Sequence, residues 1–119
     1  MYYASLFIGD SQSMCAEAGI LGTPFIRYND FVGKIEYLND LENNYELGLG
    51  VKTDEPWRVI SIINKLFEIP DYKKKYEIRK EKLFKDKIDL ISFTIWLIEN
   101  YPQSIRKVKE TPDYQYNFK

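Results

Sequence analysis

The chain has 119 residues, with 17 basic and 18 acidic side chains, no histidine and one cysteine, Cys15. This length suits one small domain, and the near-neutral balance removes the electrostatic case for nucleic-acid binding. A single cysteine excludes an internal disulfide and points to a reducing, cytoplasmic setting; without histidine, and with no ligand-spaced cluster, no metal site is expected.

The opening stretch MYYASLFIGDS carries no basic region, long apolar run or small-residue cleavage site, so it does not read as a signal peptide. It runs almost at once into a strand, SLFIGD, with the composition of a strand buried on both faces of a parallel sheet. That abrupt start predicts a piece of a longer domain. A helix follows, capped by Ser11 or Ser13, with Met14, Ala18 and Leu21 on one face and Gly22 as its stop. PFIRY is the second strand, and Asn29, Asp30 and Gly33 mark a loop.

The segment 34–45 reads as a helix with Ile35, Leu38 and Leu41 on one face. LGLGVK is a third strand, weakened by Gly48 and Gly50. Thr53 or Asp54 caps the next helix ahead of Pro56, and that helix runs from about Glu55 to Ile69 on Val59, Ile60, Ile63, Leu66 and Phe67. After Pro70 come a charged amphipathic stretch and then, from Ile88 to Tyr101, a stretch apolar on more than one face, ended or kinked by Pro102. The tail from Gln103 onward reads as loosely held.

Ile88–Tyr101 is shorter than the ~20 apolar residues a membrane span needs. Asp89 and Glu99 bracket it, so it reads as a helix packed on protein, with no transmembrane segment in the chain. Strands alternating with helices mean parallel strands joined by right-handed crossovers. The expected fold is therefore α/β, a small three-layer Rossmann-like sheet of about three parallel strands with extra C-terminal helices. The expected division is a partial Rossmann-like domain over 1–70 and a helical extension over 71–119.

Gly9-Asp10-Ser11 at the strand-to-helix switch raises three chemistries. A nucleophilic Ser11 needs a base, and the histidine that serves in such esterases is absent. A phosphorylated or nucleophilic Asp10 calls for further carboxylates around a magnesium ion, and GDSQSM offers one. A phosphate cradle asks less: a helix N-terminus beyond the carboxyl end of a parallel strand, with Ser11 and Ser13 adding hydroxyls. Its plain counterpart is a serine cap with no ligand.

DSQSMCAEAGILGTP, Asp10 to Pro24, resembles the UDP-sugar-binding segment of the non-hydrolysing UDP-N-acetylglucosamine 2-epimerases, which reads Asp-Ser-Gly-Gly, then Glu-Glu-Ala, then Leu-Gly-x-Pro. More broadly it is similar to the C-terminal nucleotide-binding pattern of GT-B glycosyltransferases. FIGDSQSM.AEA..LGTP.IR.NDF together with DKID...F..W.IENYP resembles the C-terminal part of an uncharacterised prokaryotic family of glycosyltransferase-like proteins related to those epimerases. The likeness runs from Tyr3 to about Tyr114.

The resemblance implies half of a GT-B nucleotide-binding domain. It implies that Ser11, Gln12 and Ser13 contact the diphosphate of a UDP-sugar or other NDP-sugar, and that Glu17 binds the ribose hydroxyls. Glu17 follows Ser13 by four residues and shares its side of the helix. Gln12 and Ser13 replace the paired glycines of the family, and their side chains either crowd the phosphates or bond them. Asp10, Arg27 and Asp30 are expected at the cleft edge, Arg27 meeting a phosphate or sugar acid or else pairing with Asp30. The N-terminal half-domain that supplies the acceptor site and most catalytic groups has no counterpart here, so the catalytic residues stay unknown and the fragment is expected to lack turnover alone. The last helices of GT-B proteins pack on that other half, which implies an exposed apolar face here and self-association. The alternative is a non-catalytic interaction or structural module that dimerises through its C-terminal helices or pairs with a separate N-terminal half.

Overall fold

Three short parallel strands frame the computed structural model, which describes residues 3–119: β1 (Phe7–Gly9), β2 (Phe25–Tyr28) and β3 (Gly48–Val51), in the order β1-β2-β3. Phe7, Phe25 and Gly48 are in register, as are Gly9, Arg27 and Gly50. The connections are helical: α1 (Gln12–Ile20), then α2 (Glu36–Asn39), which continues as a π-helical turn over Asp40–Asn44. Next come α3 (Pro56–Glu68), α4 (Tyr72–Asp86), α5 (Leu90–Glu99), α6 (Gln103–Glu110) and a 3-10 helix over Pro112–Phe118. The fold is α/β, a Rossmann-like parallel sheet with C-terminal helices. Two compact units, Met1–Glu81 and Lys82–Lys119, divide within α4.

In the first unit, α1 and the α2–π segment lie on the same face of the sheet. A Cβ on Gly19 would stand 3.0 Å from the Phe25 ring, and Glu42 of the π turn pairs with Arg27, two residues further along β2 on the same face. α3 takes the opposite face, where Ile62 and Leu66 oppose Ile26 and Leu49. Helices on both faces make the three layers.

The inward face of α1 matches the expected one at Ala18 but not at Met14. Cys15, Ala18 and Gly19 are buried while Met14 is 43% exposed. Small side chains win the inside because they let the helix approach the Phe25 ring. The helix ends as its glycine requires: Gly22 takes φ +82°, Gly22 N–H donates to Gly19 O and Thr23 N–H to Ala18 O, closing a Schellman turn.

Other expectations are corrected too. β1 is an edge strand, not one buried on both faces, and its Ile8 is 46% exposed. Neither Thr53 nor Asp54 caps α3. The cap position is Glu55, with no side-chain bond, and Pro56 opens the helix with no N–H to satisfy. Thr53 is engaged elsewhere, by Asp30.

In the second unit, Asp89 caps α5, its Oδ1 accepting from Ile91 N at 3.1 Å and Ser92 N at 3.2 Å. The tail is ordered rather than loosely held. It forms α6 and the 3-10 helix, and Tyr114 and Phe118 stack on Trp96 with ring centroids 4.9 and 5.5 Å away. Phe93 completes this aromatic cluster. Among the described residues, no helix is long and apolar enough to cross a membrane.

Candidate functional site

The carboxyl ends of the three strands deliver three loops to one edge of the sheet. β1 ends at Gly9 and the chain turns through Asp10 into α1; β2 opens into the loop at Asn29; β3 opens into Thr53. Side chains stitch these loops together. Asn29 Nδ2 donates to Asp10 O at 2.9 Å, and Asn29 Oδ1 accepts from Phe31 N at 3.0 Å. Thr53 donates twice to Asp30 Oδ1, from Oγ1 at 2.5 Å and from N at 3.2 Å, and Tyr28 OH donates to Thr53 O at 2.8 Å. The Thr53 hydroxyl, then its N–H, hold the Asp30 carboxyl below its ordinary range. Asp30 is thus an exposed anion that organises the edge.

Ser11 is the cap of α1: its Oγ accepts from Met14 N at 3.4 Å and lies 3.4 Å from Ser13 Oγ. This bond takes one of the four N–H groups that a helix start leaves over, and Cys15 N donates to Ser11 O. The N–H groups of Gln12 and Ser13 remain at the open end of the helix. Ser11 and Gln12 are half-buried, and Ser13, Asp10 and Glu17 are exposed. Ser11, Gln12 and Ser13 thus stand at the start of α1, beyond the carboxyl end of β1, and Glu17 follows on the same helix, exposed. No described bond supplies a base to Ser11.

Arg27 does not stand at the cleft edge. It is fully buried on the α1 side of the sheet, between Gly9 and Gly50 of the neighbouring strands, and pairs with Glu42 rather than Asp30. The pair is bidentate, Nε to Oε1 at 2.9 Å and Nη2 to Oε2 at 3.1 Å. Nη1 has no partner in the structure. The π turn brings Glu42 inward beside Leu41, and the missing side chain of Gly50 leaves room for its carboxylate, since a Cβ there would stand 3.3 Å from Glu42 Oε2. Glu42 has no place in the sequence reading, and Asn29 and Thr53 appear there only as a loop residue and a candidate helix cap. The available signal was an arginine inside a strand that must be buried, which demands a carboxylate from a facing helix.

Cys15 lies one turn into α1, with Sγ 4.0 Å from Gly9 O. Burial pushes its thiol up to about 11; Arg27 opposes that rise, while Glu42 and Asp10 add to it. The group is a packed thiol at neutral pH, not a nucleophile. Among the described residues, no group of three or more histidine, cysteine, aspartate or glutamate side chains is placed to hold a metal ion.

The fold and this edge define an α/β protein with a parallel, Rossmann-like sheet. Comparison of the chain with family profiles, with curated proteins and with solved structures gives no match.

Proposed function

We propose that this chain is the nucleotide-diphosphate-binding part of a GT-B-like sugar-nucleotide protein, taking a UDP-sugar or another NDP-sugar. One observation carries the reading: a capped helix start, Ser11 to Ser13, stands at the carboxyl edge of a parallel sheet with Glu17 one turn further on. The sequence likeness of Asp10–Pro24 to the epimerase segment supports it. In this reading the diphosphate lies against the N–H groups of Gln12 and Ser13 and the Ser13 hydroxyl. The Glu17 carboxylate accepts from the two ribose hydroxyls. Asn29 and the Asp30–Thr53 bonds hold the neighbouring loops, so little ordering is left for the ligand to impose. The chain binds and does not turn over; an N-terminal half-domain supplies the acceptor and the catalytic groups.

The test is a titration of the chain with UDP, followed by amide shifts and calorimetry, with Glu17→Ala as control. Saturable binding, shifts at Ser11–Glu17 and weakening by the substitution are expected. Absence of binding into the millimolar range overturns the reading for the isolated chain.

A second reading has its own observation. On α5, Leu90, Ile91, Ile95 and Ile98 are 65, 74, 50 and 71% exposed, and Ile91, Ile95 and Ile98 share a face. An interaction module that dimerises through this helix fits that face. Light scattering after chromatography decides: a dimer that Ile95→Glu converts to monomer supports it, and a wild-type monomer removes it.

A further inference from the structure

The two faces of the sheet are filled unequally. On the α1 side the Phe25 ring occupies the space that Gly19 and Gly48 leave, and Arg27 fills the rest. On the α3 side a cavity of about 150 Å³ remains between strands and helix. Leu6, Ile26 and Leu49 form its floor and Ile62 and Leu66 its roof, all within the unit that ends at Glu81. Tyr76 closes one end, with the Arg79 guanidinium over its ring, 4.8 Å from the centroid. Leu49, 44% exposed, marks the mouth. Lys65 is the one charged residue of the lining; it is exposed and makes no ion pair among the described residues.

A space of this size with an almost wholly apolar lining and an open mouth accepts a small apolar body, about as large as benzene. It rejects a nucleotide on both volume and polarity, and none of Ser11, Gln12, Ser13 or Glu17 lines it. Lys65, the one charged residue of the lining and itself exposed, adds a preference of sign: a bound apolar body that carries an anion gains a charge-assisted bond by placing it toward Lys65. We infer that this cavity is a second, separate binding site, for a small monocarboxylic acid with an aromatic or branched aliphatic body. The body fills the space beneath α3 and the carboxylate meets Lys65.

Phenylacetate is the probe, followed by amide shifts of the full chain, with acetate and benzyl alcohol as comparisons lacking the body and the charge. Saturable shifts at Leu6, Ile26 and Leu49 are expected with phenylacetate. Lys65→Met should weaken binding by roughly tenfold, the worth of one charged hydrogen bond. Ile62→Phe, or Leu49→Phe should the first not fold, fills the space and should abolish binding while leaving the amides of Ser11–Glu17 in place. No saturable shift into the millimolar range, or binding that survives the filled variant, overturns the site. Benzyl alcohol binding as tightly as phenylacetate overturns the acid as its ligand.

Discussion

The buried pair of Arg27 and Glu42 gives a sharp quantitative handle on this fold. Glu42→Gln keeps the shape and one carbonyl acceptor but removes the charge that balances a guanidinium with 0% exposure. Breaking a buried pair from one side costs about 3–5 kcal/mol, because the remaining charge is left without compensation. A domain of this size has roughly 5–15 kcal/mol in total, so about a fifth or more of the stability goes. With a urea slope of about 1–3 kcal/mol per molar, the midpoint should fall by roughly 2 M. The paired replacement Arg27→Met with Glu42→Leu removes both charges and the unpartnered Nη1 together. It should sit within about 2 kcal/mol of the parent, since well-packed apolar groups replace buried ion pairs at little or no cost. Urea unfolding followed by circular dichroism reads both. A Glu42→Gln protein within about 1 kcal/mol of the parent, or a double variant as unstable as the single, would refute the reasoning. Should Glu42→Gln not fold, the double variant still decides against Arg27→Met alone.

Two more predictions follow from the α1 side of the sheet. Gly48→Ala puts a Cβ 2.4 Å from Phe25 Cδ2, so the buried ring must move; a loss of about 1–3 kcal/mol in the same unfolding assay is expected, largely restored by adding Phe25→Leu. Cys15 makes stability fall with alkali: its thiol titrates near 9.0 when unfolded and near 11 when folded, so the stabilisation is complete below the first value and is lost as pH rises through the second. Cys15→Ala should flatten that slope, and a thiol reagent at neutral pH should leave the folded chain unmodified.

The alternation of apolar runs with capped helical stretches was enough to read the parallel sheet and its three strands, because each strand is short, apolar and bounded by Gly9, Asn29 or Thr53. Which face of α1 turns inward was not legible from hydrophobicity. Close approach to Phe25 favours the small Cys15, Ala18 and Gly19 over the larger Met14, a choice made by a ring 6 or more residues away in sequence. Arg27 is expected at an edge because it lies by the end of the second strand, beside Asp30. Its burial depends on Glu42, 15 residues further on, and on a π turn that carries no sequence mark. The cap of α3 misled for a related reason: Thr53 has a stronger claim from Asp30, 23 residues earlier, than from the helix it precedes. The β1–α1 turn, by contrast, is local, and Ser11 caps it from the adjacent position.

The fate of Arg27 bears on how a diphosphate would be held at that turn. An arginine at the edge would grip phosphate by charge. Here Glu42 neutralises the guanidinium on the α1 side of the sheet, and the exposed charges at the start of α1 and within it, Asp10 and Glu17, are both negative. Binding in the proposed mode then rests on neutral donors, the N–H groups of Gln12 and Ser13 and the hydroxyls, together with the helix end. Neutral donors give little to screen, whereas the two carboxylates repel a diphosphate over a distance that salt shortens. UDP affinity should therefore hold steady or rise slightly as ionic strength increases from low salt to about 0.5 M, and Asp10→Asn should tighten it. Calorimetry across that range is the measurement. An affinity that collapses with salt would mean that cations grip the phosphate, and would move the site away from Ser11–Glu17 toward the lysines of α4.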